Sequence, residues 1–407
     1  MPKTRSLAVT ALTVVSLFIL SACGQPSSPV TTEDVLFLAS PKGLFAVGSD
    51  DDRPRFAGPL AVPTRDWSTT VRTDARRHAT KVIANDPASG ASRWEREVPG
   101  QVRVKVVSND GSFVALSPLR ERYYRDGRQQ TKLLITGEEH SPQHVVLDGN
   151  YEPEAFSTDG KSLFVIRYMP ASNPNSYQVR RLDLVTEEVQ GVYTPDAHLQ
   201  ERMGGTARVQ AASQQGDRLY TLYTLMGNDG ERHAFVHVLS LDELWAHCID
   251  LPDGFAESAE SATALSVTPD GSRLVAANSR TGTIAEIDTE KLALTRTTEM
   301  DLGSGREAFA SASSSTIYLA SEERVVAVDT ATLSERHAWA MPERVRGLQA
   351  TQDSRRLYVG LRKRIVLLDA LSGKQLEMID PSGIGRIDRF GPATQPVTAT
   401  RYFTCAC

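Results

Sequence analysis

One stretch of the chain, residues 267–288, contains a complete β-meander unit and limits the fold more than any other feature. Its sequence is VTPDGSRLVAANSRTGTIAEID. Pro269, Asp270 and Gly271 form a tight turn before a short apolar strand, because proline fixes one φ and glycine readily takes positive φ. A second turn ends at Gly282 and leads into another apolar strand that ends at Asp288. The unit therefore predicts antiparallel strands joined by short turns.

The same turn, followed by an apolar strand, recurs along the chain and makes seven units in all. The other six turns lie at Gly43, Gly111, Gly160, Gly216, residues 313–315 and residues 352–354. Most intervals are roughly 40–55 residues, which suits a four-stranded blade better than a helical repeat. A single blade cannot bury its sheet faces, so blades pack radially into a ring. We therefore predict an all-β fold, a β-propeller of seven four-stranded blades.

Aspartates recur at the ends of strands in the repeat. An apolar strand that ends in aspartate recurs in the second half of the units, and we interpret these carboxylates as turn caps rather than catalytic groups. They are Asp86, Asp183, Asp288, Asp329 and Asp369.

The interval from Gly43 to Gly111 is longer than the others, and we predict an insertion at residues 54–78 there.

The residues of the repeat carry a family resemblance. Residues 267–294 resemble the YVTN or YncE-like repeat of bacterial surface-antigen and amine-dehydrogenase-like propellers, and DPASGASRW at residues 86–94 is similar to the repeat of quinoprotein-type propellers. The resemblance implies a propeller, a fold that serves scaffolds, binding proteins and enzymes alike. Because the tryptophan of quinoprotein repeats stands out clearly only at Trp94, we expect no cofactor.

The first residues predict an extracytoplasmic address. Lys3 and Arg5 precede an uncharged apolar run of signal-peptide length, too short for a comfortable membrane span. LSACG, ending at residue 24, resembles the lipobox of bacterial lipoproteins, and this resemblance implies acyl chains, palmitate among them, on Cys23. Two or more acyl chains hold a protein stably on a bilayer. We therefore expect a lipid anchor to the cell membrane or outer membrane.

These features divide the chain into four predicted segments: a signal peptide at 1–22, a lipidated tether at 23–34, the propeller at 35–390 and a C-terminal tail at 391–407. Composition supports a folded body, with 40% hydrophobic and 23% charged residues. The formal net charge is -5 and the arginines are scattered. We expect no nucleic-acid partner, because phosphate binding needs a concentrated basic face.

Several polar groupings invite a functional interpretation, and ordinary structure explains each better. His233 and His237 share one face of a strand but lie about 13 Å apart, too far to share one metal ion. His140 and His144 lie in a predicted loop, and no fixed ligand spacing supports a metal site there. The acidic run at 49–52 lacks the oxygen pattern of a calcium loop, and 228–230 form a hairpin turn. We therefore expect no metal site, and no catalytic motif is recognisable.

Four cysteines complete the inventory. With Cys23 lipidated, Cys248, Cys405 and Cys407 remain, an odd number of thiols in an oxidising compartment. We hypothesise a disulfide between Cys248 and either Cys405 or Cys407. The alternatives are a frayed tail with incidental thiols and a soft-metal site at the two tail cysteines.

The sequence favours a lipid-anchored binding or assembly module that presents its loops to an envelope protein or a small ligand. One alternative is a propeller enzyme of the lactonase or dehydrogenase kind with a site in the central channel, and another is a purely structural envelope protein. The function should lie where the regular unit fails: residues 54–78, the long loops near Tyr123 and Pro170, the cysteine tail and Cys23.

Overall fold

The computed structural model describes residues 35–48, 53–58, 61–194, 204–226, 230–256, 262–351 and 353–391. Within them, strands form eight antiparallel four-stranded sheets, each a blade of one β-propeller. The two short helices of the described chain are 3-10 turns at Tyr124–Asp126 and Asp253–Phe255. The prediction of an all-β propeller is confirmed, and the prediction of seven blades is wrong.

The blades follow one another along the chain, and the first strand of blades 2 to 8 lies innermost. Blade 1 contains β1 (Val35–Ser40), β2 (Gly43–Gly48) and β3 (Arg55–Gly58), and blade 2 contains β4 (Val62–Pro63), β5 (Thr70–Ala75), β6 (Ala79–Asn85) and β7 (Ser92–Pro99). Blade 3 contains β8 (Val102–Val107), β9 (Phe113–Pro118), β10 (Gln130–Gly137) and β11 (Gln143–Asp148). Blade 4 contains β12 (Asn150–Phe156), β13 (Ser162–Met169), β14 (Ser176–Asp183) and β15 (Val189–Gly191).

The second half of the ring repeats the same order. Blade 5 contains β16 (Thr206–Ala212), β17 (Arg218–Met226), β18 (Arg232–Ser240) and β19 (Ala246–Asp250), and blade 6 contains β20 (Thr263–Val267), β21 (Arg273–Asn278), β22 (Thr283–Asp288) and β23 (Ala293–Glu299). Blade 7 contains β24 (Phe309–Ala312), β25 (Thr316–Ser321), β26 (Arg324–Asp329) and β27 (Glu335–Ala340). Blade 8 contains β28 (Gly347–Ala350), β29 (Arg356–Gly360), β30 (Ile365–Asp369) and β31 (Gln375–Ile379).

A last short strand, β32 (Arg389–Phe390), closes the ring. It pairs with β1, where Phe390 lies opposite Leu38, and so completes blade 1 from the other end of the chain. Phe390 is buried with Leu36 and Leu38 between blades 1 and 8. A Cβ on Gly360 would lie only 2.2 Å from the Cβ of Phe390, so glycine is required where this ring packs.

The blade that the sequence did not predict is blade 2, and it begins in the segment that the sequence predicted to be an insertion. Residues 54–78 contain β3, β4 and β5, which are ordinary blade strands. The turn between β4 and β5 keeps the hydrogen bonds of the other blades, since Thr64 Oγ1 donates to Asp66 (2.6 Å), but it has no glycine. Trp67 takes the left-handed conformation instead (φ 59), where the corresponding Gly271 has φ 73. Because the sequence pattern relied mainly on a glycine at this position, it did not identify the turn.

Burial explains why a tryptophan occupies that position. Trp67 is 8% exposed, and its ring centroid lies 4.4 Å from that of Phe37 in blade 1. A non-glycine residue at positive φ costs about 1–2 kcal/mol, whereas burial of a large aromatic side chain gains more than that. The apolar contact with the neighbouring blade therefore offsets the backbone strain.

The recurring aspartates cap turns, as the sequence predicted. At the first turn of five blades, a serine or threonine hydroxyl donates to the aspartate two residues later: Ser108 to Asp110, Ser157 to Asp159, Thr268 to Asp270, Thr351 to Asp353 and Thr64 to Asp66. At the third turn, Asp86, Asp183, Asp288, Asp329 and Asp369 accept backbone N–H groups. Hydrogen bonds from Arg336 and the backbone lower the pKa of Asp329 to about 2.

Candidate functional site

A cavity of about 340 Å³ opens at one end of the ring, where blades 3, 4 and 5 meet. Blade 3 contributes the connection between β9 and β10, blade 4 contributes β12 and the connection between β13 and β14, and blade 5 contributes the start of β16 and part of β17. We call this cavity the tyrosine pocket. It is lined by Tyr124, Arg125, Glu152, Ile166, Tyr168, residues 174–177, residues 205–207 and Tyr223.

Four tyrosine rings from three blades form a continuous row along the pocket. The ring centroids of Tyr124 and Tyr168 lie 4.2 Å apart in a stacked arrangement, and those of Tyr168 and Tyr177 lie 6.3 Å apart. Tyr177 in turn stacks on Tyr223 at 5.4 Å. Aromatic pairs at these separations stabilise one another beyond their area of contact. The rings therefore hold each other in place before any ligand arrives.

Strand register explains how the row arises. Tyr168 on β13 lies directly opposite Tyr177 on β14, and Tyr223 on β17 lies directly opposite Phe235 on β18. Cross-strand neighbours are close enough for their rings to touch. Tyr124 joins from the 3-10 turn of blade 3 and completes the row.

The hydroxyls of Tyr168 and Tyr177 are neutral at physiological pH. Burial raises the pKa of Tyr168 well above its ordinary value, and the neighbouring Tyr124 adds to this effect. Burial also raises the pKa of Tyr177 well above its ordinary value, with Tyr223 contributing. The Tyr177 hydroxyl donates to the carbonyl of Gly204 (3.3 Å). These groups serve as hydrogen-bond donors and acceptors and supply no negative charge.

Behind the pocket lies a buried group of four charged residues, Lys105, Glu121, Arg128 and Glu152, which we call the charge cluster. Each side chain is at most 8% exposed. Glu152 binds Lys105 through Oε2 and Arg128 through Oε1, both at 2.7 Å. Glu121 lies 2.8 Å from Arg128 and 4.0 Å from Lys105. Two anions and two cations therefore neutralise each other, although burial raises the pKa of Glu121.

The charge cluster also fixes the pocket wall. Arg128 Nε donates to Asn150 Oδ1 (2.9 Å), and Asn150 Nδ2 donates to the backbone carbonyl of Tyr124 (2.6 Å). Arg128 also donates to the carbonyl of Tyr151. Ion pairs in a low-dielectric interior are held in one geometry when their remaining hydrogen bonds are satisfied. The connection that carries Tyr124 is thereby attached to β12.

A second polar group, from blades 4 and 5, contains Glu154, Gln210 and Thr221. Glu154 accepts a hydrogen bond from Gln210 Nε2 (2.7 Å), and Gln210 also donates to Thr221 (3.0 Å). Burial lowers the pKa of Arg65 to about 10, an effect that the Glu154 carboxylate partly opposes. Arg65 stays protonated at physiological pH and therefore carries a positive charge that the Glu154 carboxylate attracts.

The histidines singled out in the sequence belong to ordinary strands and turns. His233 and His237 both lie on β18, the first exposed and the second 5% exposed. Burial, and repulsion from His247, lower the pKa of His237 to about 4. His140 stacks on Phe113 at 4.0 Å, and His144 is exposed on β11. In the described part of the chain, no three His, Cys, Asp or Glu residues are grouped to hold a metal ion.

Other sequence predictions fall on residues beyond the described ranges. Cys23, Cys405, Cys407 and the acidic run at 49–52 lie there, as do two residues of the 228–230 hairpin turn. Cys248 is half-buried on β19, opposite His237 on β18. No helix among the described residues is long and apolar enough to cross a membrane. The lipid attachment and the disulfide therefore stay predictions.

The structure brings together two segments that the regular unit does not explain. The loops near Tyr123 and Pro170 meet at the tyrosine pocket, one as the connection that holds Tyr124 and the other as the connection between β13 and β14. The four tyrosines and the charge cluster were not identified from the sequence. The signal that could have indicated part of the site is the pair of tyrosines, Tyr168 and Tyr177, that brackets one irregular loop.

The fold and the pocket define the class of protein: an eight-bladed β-propeller with an aromatic pocket at one end of the ring. No family model matches the chain, and no curated protein matches it. Apo AztD from Citrobacter koseri is similar with a TM-score of 0.53 at 14% identity, over 88% of this chain and 96% of that one. A second structure of Citrobacter koseri AztD gives 0.53 at 13% identity over the same shares of each chain. At this identity the similarity shows the propeller fold alone.

Proposed function

We propose that this protein is a lipid-anchored extracytoplasmic β-propeller that binds a small ligand in the tyrosine pocket. The propeller part rests on the eight blades, and the anchor on the apolar run and LSACG motif that end near Cys23. The YVTN-like repeat at residues 267–294 supports a place among bacterial surface propellers. The acyl chains would keep the ring at the membrane surface.

The pocket supports ligand binding because it combines apolar surface with fixed polar groups. Its volume of about 340 Å³ lies within the range of small-molecule sites. Ile166, Ala207 and the tyrosine rings supply apolar surface, while Asn175 and Thr206 supply polar groups. The stacked rings and the charge cluster behind them are preorganised, which lowers the entropy cost of binding. This preorganised aromatic wall is the observation that carries the proposal.

The charge state of the pocket favours binding over catalysis. Glu152 is the carboxylate of the pocket, and both of its oxygens are engaged by Lys105 and Arg128. A general base must lie within hydrogen-bond reach of the proton that it abstracts, and both oxygens of Glu152 are already held by these two cations. The residues that line the pocket therefore support a ligand site better than the propeller-enzyme alternative.

The experiment is recovery of the ligand from protein purified out of its own membrane. Small molecules released by denaturation are compared by mass spectrometry among the unaltered protein, Asn175→Trp and Asn173→Trp. Asn175 lines the pocket and is exposed enough to carry an indole into its mouth, whereas Asn173 is exposed in the same loop and outside the pocket. Circular dichroism verifies that all three are folded.

We expect one compound to be released in near-stoichiometric amount by the unaltered protein and by Asn173→Trp, and to be absent from Asn175→Trp. Equal recovery from both variants would place the ligand elsewhere and refute the pocket as its site. If no compound comes from the unaltered protein, and none of the metabolites of its envelope binds it on titration, the small-ligand function itself is wrong.

A further inference from the structure

Arg125 is a cation in the lining of the tyrosine pocket that has no anionic partner among the residues that the structure describes. Arg125 lines the pocket and lies with its guanidinium carbon 5.8 Å from the ring centroid of Tyr124. Its Nε donates to the Tyr124 hydroxyl at 3.2 Å. Across the described ranges, no aspartate or glutamate forms an ion pair with Arg125. Partial burial lowers the pKa of Arg125, but the surrounding tyrosines, Tyr124 above all, raise it by more. Its charge is therefore available to a ligand.

The other charged residue that lines the pocket, Glu152, does not oppose an anion. Glu152 is matched by Lys105 and Arg128, and Glu121 by the same two cations. The charge cluster is thus neutral as a group. Arg125 therefore gives the pocket wall a net positive charge. Electrostatic complementarity then favours a negative group at this point.

Arginine on an aromatic ring selects a particular kind of anion. The guanidinium is planar and presents paired N–H donors that match a carboxylate in two parallel hydrogen bonds. The contact with the Tyr124 ring and the hydrogen bond from Nε to its hydroxyl restrict the guanidinium, so less side-chain freedom is lost on binding. The adjacent Tyr168 and Tyr177 present flat aromatic surface, which suits a ring in the same ligand.

We propose that the tyrosine pocket takes a compound in which a carboxylate is carried on a six-membered ring, with the carboxylate on Arg125 and the ring against the tyrosines. The pocket volume of about 340 Å³ suits one such ring with its substituents. The ring is either that of a sugar acid or that of an aromatic acid, since the C–H face of a pyranose and the face of an aromatic ring both pack on tyrosine, and each ring carries one carboxylate. This inference rests on the proposed function of the pocket as a ligand site.

The test is calorimetric titration of the purified full-length protein in detergent with five probes. D-glucuronate and 4-hydroxybenzoate represent the two carboxylates, D-glucose and phenol are their neutral counterparts, and choline is the cation. The variant Arg125→Gln removes the charge and keeps a polar side chain. Arg122→Gln is the matched control, because Arg122 is exposed in the same connection and does not line the pocket.

We expect one carboxylate to bind at least tenfold more tightly than its neutral counterpart, and Arg125→Gln to abolish most of that preference, since a charge-assisted hydrogen bond changes affinity about tenfold or more. Arg122→Gln leaves affinity unchanged. Preference for glucuronate or for 4-hydroxybenzoate identifies the ring.

Three results would overturn the inference: equal affinity for acid and neutral probes, tighter binding of choline, or an acid preference that survives in Arg125→Gln. If a neutral or cationic probe binds and Asn175→Trp blocks it, the ligand function of the pocket stands and only its anionic character is wrong. If no probe binds the unaltered protein, the carboxylate assignment is wrong, and ligand recovery from the membrane decides the proposed function separately.

Discussion

Replacement of Arg128 by methionine tests whether the charge cluster holds the pocket together. Arg128 donates to two carboxylates, Glu121 and Glu152, and to Asn150 and the carbonyl of Tyr151. Removal of one partner from a buried ion pair costs about 3–5 kcal/mol, because it leaves a buried charge without compensation. Glu152 keeps Lys105 at 2.7 Å, whereas Glu121 keeps it only at 4.0 Å. The cost should therefore fall mainly on Glu121.

This distribution of charge predicts that Glu121→Gln changes the free energy of unfolding in opposite directions in the unaltered protein and in Arg128→Met. In the unaltered protein, Glu121→Gln leaves one cation in excess and should lower the free energy of unfolding. In the Arg128→Met background, the same change leaves Lys105 and Glu152 as a balanced pair and should raise it, by roughly 1–3 kcal/mol. Arg122→Met, on the exposed part of the same connection, should change stability by less than about 0.5 kcal/mol.

The assay is urea unfolding at pH 7 followed by tryptophan fluorescence, with ligand recovery as the second measurement. Arg128→Met frees Asn150, which holds the carbonyl of Tyr124, so ligand recovery should fall together with stability. The reasoning is refuted if Arg128→Met costs less than about 1 kcal/mol, or if Glu121→Gln lowers stability equally in both backgrounds.

Three further predictions concern the turns, the buried histidine and the anchor. Ser354→Gly removes the strain of a positive φ (59) and should stabilise by up to about 1 kcal/mol. Trp67→Gly removes the strain of a similar φ but loses the ring contact with Phe37, so it should destabilise by about 2–4 kcal/mol. Both changes are measured by urea unfolding. Folding lowers the pKa of His237 from 6.5 to about 4, because the folded protein holds this imidazole neutral. The free energy of unfolding should therefore be at its full value above pH 6.5 and should decrease by about 3 kcal/mol as the pH falls to 4. His237→Phe should remove this acid sensitivity, and His233→Phe should not. Replacement of the cysteine at position 23 by serine should abolish incorporation of labelled palmitate and release the protein from membranes, and retention of the label would contradict the lipid assignment.

The turns of the blades could be predicted from the sequence because the groups that form each turn are close together in the chain. A hydroxyl, an aspartate two residues later and a glycine at positive φ are all visible within five residues, as at Thr268, Asp270 and Gly271. The number of blades was wrong for a physical reason. At Trp67 the strain of the left-handed conformation is offset by contact with Phe37 from another blade, and such a long-range contact leaves no local pattern.

The pocket could not be predicted from the sequence because its parts come from three different repeats. Tyr124, Tyr168 and Tyr223 come from three blades, and Lys105 meets Glu152 across the boundary between blades 3 and 4. What the sequence did indicate is where the repeat fails, and two of those irregular loops form the pocket wall. The side chains that meet there follow from the closure of the ring.

The most direct test of the account is a crystal structure of the protein isolated from its own membrane without added ligand. The account predicts electron density for one small molecule in the tyrosine pocket, with a ring against Tyr168 or Tyr177 and an acidic group within hydrogen-bond distance of Arg125. A pocket that contains only ordered water, in protein from which a stoichiometric compound is recovered on denaturation, would contradict it.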